Sequence, residues 1–143
     1  MNAVEIEEAI SILAEQPFVP AEFPYAFLEA FGNKETTIKR LKSGNNNKSD
    51  ITGGVLQQNN IHIAICEEGT VIDTLKALKD SPATAKGKAK FTLATDGKEF
   101  QAEDLTSGET ISCNYPNFHN YFGFFLPFFF SSSVSFFHFS FFA

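Results

Sequence analysis

Apolar residues near the start of the chain fall at Val4, Ile6, Ile10, Ile12 and Leu13, a spacing that predicts a helix ending before Pro17. Asn2 is placed to cap it, and Glu5, Glu7 and Glu8 lie near its N-terminus, where the helix dipole favours negative charge. The segment PFVPAEFP then reads as a loop, because its three prolines cannot continue a helix. A second helix is predicted from about Pro24 to Phe31, with Tyr25, Leu28 and Phe31 on one stripe, Phe27 beside it, and Gly32-Asn33 as its stop. A third, over Glu35–Leu41, turns Ile38 and Leu41 inward and Lys39, Arg40 and Lys42 outward. Ser43 to Gly54 is polar and rich in Asn and Gly, and is read as a loop.

The period then changes. Val55 to Cys66 holds the clearest strand, with Ile61, Ile63 and Ile65 alternating against His62, Ala64 and Cys66. Val71, Leu75 and Leu78 return to helical spacing over Thr70–Lys79, and Asp80-Ser81-Pro82 ends that helix. Lys90–Thr95 and Glu99–Leu105 form a hairpin through Asp96-Gly97, and Thr110–Asn114 offers a further strand. These elements predict an α+β fold, with N-terminal helices followed by a small, partly antiparallel mixed sheet carrying one packed helix. At 143 residues, 43% of them hydrophobic and 20% charged, the chain suits one globular domain.

Charge changes the picture only locally. A net charge of −6 argues against general nucleic-acid binding, and residues 1–33 hold six Glu and no Lys or Arg. Lys34, Lys39, Arg40, Lys42 and Lys48 then follow closely, and Lys86, Lys88 and Lys90 alternate as on one face of a strand. Phosphate contacts need only cations and donors, which Asn45 to Asn47 also supply, so both groups are candidate DNA contacts. The bland alternative is a solvated surface.

Other candidate chemistry is sparse. Cys66 and Cys113 lack metal-ligand spacing and read as two reduced, buried thiols of a cytoplasmic protein. His62, between isoleucines, reads as a satisfied structural group. No glycine-rich cofactor loop precedes NYPN at Asn114–Asn117, so that fragment is not a base-binding motif, and no cofactor or metal site is expected.

The phrases FPYAFLEAFGNKETTIKRLKSG, GGVLQQNNIHIAIC and SPATAKGKAKFTLATDG, between Phe23 and Gly97, resemble the extreme N-terminus of the MmeI-like type IIL restriction-modification proteins and their S-adenosylmethionine-dependent DNA methyltransferase relatives. The resemblance covers about residues 1–127 and implies an N-terminal domain that precedes a helical spacer, a methyltransferase domain and a target-recognition domain. It implies adenine-N6 methylation of a specific DNA sequence with S-adenosylmethionine by the full-length enzyme. It also implies that this fragment, without the methyltransferase core, is inactive by itself. MmeI-like enzymes carry a PD-(D/E)xK nuclease at this end, in which two carboxylates hold Mg²⁺ and a Lys steadies the attacking water. Here Asp96 and Glu103 are the candidates for a degenerate nuclease hairpin, but Leu105 stands where the Lys belongs and Lys98 lies in the turn. The alternative is a turn Asp with a solvent-facing Glu.

Composition breaks near Thr110. Residues 110–143 hold no Asp, Glu, Lys or Arg, and 12 of the 18 Phe lie at or after Phe118. Residues 128–143 are read as a low-complexity Phe/Ser tail, unrelated to the family and best explained by a shifted reading frame. The other readings are a buried strand or helix and a tail anchor that would make the protein a small membrane-tethered binding module.

Overall fold

The computed structural model describes residues 2–129. Helix α1 (Ala3–Glu15) is started by a capping box: the Asn2 side chain accepts from the Glu5 amide at 2.9 Å, and the Glu5 carboxylate reaches back to the Asn2 amide. Ile6, Ile10 and Ala14 form its buried stripe. Helix α2 (Phe23–Ala30) begins with Pro24 in its first turn and buries Phe23, Phe27 and Leu28. Helix α3 (Glu35–Lys42) buries only Ile38 and Leu41. All three helices lie where the apolar spacing predicts them, but Val4 and Ile12 of α1 are exposed and Tyr25 of α2 is only partly buried.

The sheet has five strands: β1 (Val55–Gln57), β2 (Ile61–Ile65), β3 (Phe91–Thr95), β4 (Glu99–Asp104) and β5 (Thr110–Asn114), in spatial order β1-β2-β3-β4-β5. Neighbours are antiparallel except β2 and β3, which run parallel from Ile61↔Phe91 to Ile65↔Thr95. A parallel pair needs a crossover, which is supplied by α4 (Val71–Asp80) and α5 (Pro82–Lys86). The expected α+β fold with a mixed sheet is therefore present.

Three expectations need correction. The segment Val55–Cys66 holds two strands and not one, folded back on each other because Gln58-Asn59-Asn60 turns the chain with Asn59 at φ 65°. One packed helix becomes two, since α5 follows α4 directly. The alternation in β2 does not separate a wet face from a dry one: His62 and Ala64 are as buried as Ile61 and Ile63. The stretch after β5 is a 3₁₀ helix (Tyr115–Tyr121) followed by α6 (Phe122–Phe129).

These helices cover both faces of the sheet. On one, Ile61, Ile63, Phe91, Leu93 and Phe100 meet α1, α2 and the aromatic residues of the 3₁₀ helix and α6. On the other, Ala64 and Ala94 meet Val71 and Leu78 of α4. The larger core is rich in aromatic rings. Phe100 and Phe118 stack at 4.8 Å and 5°, and Phe27 meets Phe125 edge-on at 5.2 Å. Phe118 and Phe125 therefore belong to the fold, although composition alone groups them with the tail. Among the described residues, no helix is long and apolar enough to cross a membrane. Of the Phe/Ser tail expected over residues 128–143, residues 128 and 129 end α6, and the rest, with the tail-anchor and reading-frame interpretations attached to it, lies outside the described residues.

Candidate functional site

The basic residues separate once their neighbours are known. Lys39 pairs with Glu35 at 3.3 Å on the same helix. Lys42 pairs with Glu22 at 3.0 Å and lies over the Tyr25 ring, 5.3 Å from its centre. Lys34 stands at the start of α3, and Arg40 is exposed on its outer side. Lys86, Lys88 and Lys90 do not share a strand face. Lys86 is the last residue of α5, Lys88 turns through the left-handed region at φ 55°, and the strand begins only at Phe91. The cause is the helix end: the Gly87, Lys88 and Ala89 amides all bond back to carbonyls of α5.

Lys48 and Lys86, 38 positions apart in the chain, line one cleft of about 300 Å³ together with Gln58 and Gly87. A second cleft of about 290 Å³ adjoins it, sharing Lys48 and Gln58 and adding Thr37 and Asn46. Together they form a cationic, amide- and hydroxyl-lined groove beside β1.

The walls of this groove are held by side-chain hydrogen bonds, most of them partly buried. Asn47 folds the loop against β1: its amide donates to the Gly54 carbonyl, and its oxygen accepts from the Ser49 and Leu56 amides. Asp50 ties the same loop to α5, accepting from the Ser81 hydroxyl at 2.6 Å and the Ala83 amide at 3.3 Å. His62 lies beneath, fully buried, with Nδ1 2.8 Å from Thr84 Oγ1 and Nε2 2.7 Å from Ser49 Oγ. Thr84 Oγ1 donates to the Leu78 carbonyl at 2.6 Å, so it accepts from His62, whose Nδ1 therefore carries the proton. Nε2 is then the acceptor for the Ser49 hydroxyl. Burial pushes the His62 pKa below its usual 6.5, against a smaller opposite pull from the Asp50 carboxylate. Gly54 must lack a side chain, because a Cβ there would sit 2.4 Å from Ser49 Oγ. The structural reading of His62 holds, but nothing in the local sequence around it announces Ser49, Thr84 or the Asp50–Ser81 bond.

The hairpin candidates are not brought together. The Asp96 carboxylate accepts from the amides of Lys98 and Glu99, both at 2.8 Å, and from Gly69 at 3.0 Å, so it organises the turn and tethers the loop before α4. Desolvation is the largest single influence and pushes its pKa up, but the backbone bonds together outweigh it and leave the pKa lowered. Glu103 faces Thr92, four residues before Asp96, which separates the two acids by about 13 Å at the ordinary strand rise. Glu103 is buried and pairs with Lys79 at 3.0 Å; it is not solvent-facing. Lys98 pairs with Glu68. Asp96→Ala is expected to lower stability by about 1 kcal/mol through the lost turn bonds, read as a lower urea midpoint.

The thiols are half-buried and free, on opposite faces of the sheet, and burial raises the Cys113 pKa. His119 is half-buried, its Nδ1 donating to the Pro116 carbonyl. Tyr115 of NYPN is buried among Phe18, Phe23 and Phe118, which raises its pKa. Among the described residues, no cluster of three or more His, Cys, Asp or Glu could hold a metal ion.

The MmeI N-terminal domain family matches residues 1–135. DNA methyltransferase A of Bacillus subtilis (strain 168) is 25% identical over 126 residues, covering 88% of this chain. The chain spans 14% of the length of that relative. No solved structure matches.

Proposed function

We propose, from the premise that this chain belongs to the MmeI N-terminal domain family, that it is an accessory domain of a site-specific adenine-N6 DNA methyltransferase. Its part is to contact the DNA backbone. Methyl transfer from S-adenosylmethionine falls to a catalytic domain elsewhere in the enzyme, and this fragment has no activity alone. The reading places the protein in the cytoplasm with its DNA. It does not use Asp96 and Glu103 as a nuclease pair, because their separation is too great for one shared ion.

The observation that carries this reading is the groove shared by Lys48 and Lys86. Neither lysine has an acidic partner among the described contacts, unlike Lys39 and Lys42. A phosphate between two ammonium groups releases counterions as it binds, so such contacts give weak, salt-sensitive and sequence-independent affinity. Gln58, Asn46 and Thr37 add neutral donors along the same path.

Fluorescence anisotropy with a labelled duplex across a salt series tests it. The chain is expected to bind with an affinity that falls steeply with salt. Replacing Lys48 and Lys86 together by Ala is expected to lower the log–log salt slope by roughly 1.8, about 0.9 for each lost phosphate contact. Replacing Lys39 and Lys42, already held in ion pairs, is expected to change it less. Binding that is tight and resists salt, or a calorimetric titration that reveals a specific S-adenosylmethionine site, would overturn the reading.

A further inference from the structure

The two outer edges of the sheet are finished differently. At β1, the groups of Leu56 that point away from the sheet are satisfied by the chain's own loop: the Leu56 carbonyl accepts from the Lys48 amide, and the Leu56 amide donates to Asn47. At β5, no strand among the described residues pairs with the outer edge.

The ladder between β4 and β5 tells which groups that edge presents. The Asp104 amide donates to the Glu109 carbonyl, and the Tyr115 amide to the Lys98 carbonyl, both at 2.8 Å. Hydrogen-bonded pairs alternate along an antiparallel ladder, so Ile111 and Cys113 also turn their backbone groups toward β4. Thr110, Ser112 and Asn114 turn theirs outward, and the side chains of all three are exposed. Natural sheet edges are normally blunted by charge, proline or a bulge. Here residues 110–114 contain neither proline nor charge, and the five residues pair with β4 without a break in register. An open polar groove of about 640 Å³ runs alongside, lined by Asn114, Asn117, Asn120 and Tyr121, with Glu99 at its border.

We infer that β5 is a docking edge, and that its occupant is β5 of a second copy of this chain. An antiparallel pair centred on Ser112 sets Thr110 of each copy opposite Asn114 of the other and matches every outward N–H to an outward carbonyl. The edge is self-complementary, as a two-fold interface requires. Residues 110–114 themselves carry no charge, so the pairing residues of two chains of net charge −6 do not repel each other, and the acids Glu99 and Glu109 only flank them. The amides and hydroxyl of Asn117, Asn120 and Tyr121 are positioned to bond the incoming strand from the flank. The result is one continuous ten-stranded sheet joined through a small contact, hence a weak dimer.

Sedimentation equilibrium of the full chain from ~10 µM to ~1 mM tests this, a range suited to a small interface. A concentration-dependent dimer is expected. Ser112→Pro removes only an outward donor and no bond to β4, so it is expected to give a monomer with unchanged circular dichroism. Two double variants test the register. T110K/N114K sets like charges opposite each other and is expected to weaken the dimer. T110K/N114E sets opposite charges together and is expected to tighten it, by about 2- to 30-fold for two such pairs. A monomer throughout the range overturns the proposal and leaves the edge to a strand of some other protein. So does a dimer that responds identically to both double variants.

Discussion

Phe125→Ala is expected to destabilise the protein by about 3–5 kcal/mol, the usual cost of emptying a fully buried aromatic site. Phe125 is fully buried, and its ring lies 5.2 Å from Phe27, 5.3 Å from Phe91 and 5.7 Å from Phe31. Phe27 belongs to α2, Phe31 caps its C-terminal end and Phe91 belongs to β3, so α6 closes the core between helix and sheet. Lost contact and residual cavity act together here, because the surrounding rings belong to different elements and cannot all move inward. With a domain stability of about 5–15 kcal/mol, the loss removes a large fraction of the total. Thermal melting should fall by roughly 10–20 °C. Ile12→Ala serves as the control: Ile12 is 55% exposed and should cost no more than about 0.5 kcal/mol. Equal shifts for the two variants would mean that α6 does not complete the core.

The second large effect is the dependence of stability on His62 and pH. Burial disfavours the imidazolium, so the folded-state pKa lies below the unfolded value of 6.5. A group with a depressed folded pKa contributes stability that is fully present above the unfolded pKa and is lost as pH falls. Stability should therefore hold above about pH 6.5 and decline below it, by up to about 1.4 kcal/mol per pH unit. The decline levels off once the folded protein also takes the proton. Protonation puts a hydrogen on Nε2, so the Ser49 hydroxyl must turn its own proton to the Ile51 carbonyl and accept from the ring instead. Asp50, Asp96 and Asp104, whose pKa values are also lowered, contribute only nearer the carboxylate value of 3.8. Urea unfolding between about pH 7.5 and 5 should show the limb in the natural chain. His62→Gln should remove the limb, at a cost of about 1–3 kcal/mol at neutral pH. Persistence of the limb in that variant would place the titration elsewhere.

Much of the fold was readable because its signals are local. Asn2 with Glu5, the proline-marked loop before α2, Gly32-Asn33 and the Asp96-Gly97 turn each act within a few residues, and each appears where the sequence predicts it. Helix α4 was equally legible from Val71, Leu75 and Leu78. The break between β1 and β2 also had a local sign, Asn59-Asn60, but the strong alternation of Ile61, Ile63 and Ile65 masked it. Composition misled at the C-terminal side. A Phe-rich run without periodicity does not say which rings are buried, yet Phe118 and Phe125 are core while Phe122 and Phe124 are only partly covered.

By itself the sequence determined the types of element, most of their ends, the α+β class and the family resemblance, since backbone propensity, capping and periodicity act over single turns and strands. Tertiary structure alone decided the candidate groove, the partners of His62 and the difference between the two sheet edges. Lys48 meets Lys86, and His62 meets Thr84, only after the crossover through α4 and α5 lays β3 parallel to β2. Contacts between residues 22 to 38 positions apart depend on the register of the sheet and on which helix covers which face. No local pattern carries that register, because it emerges from the packing of the whole core.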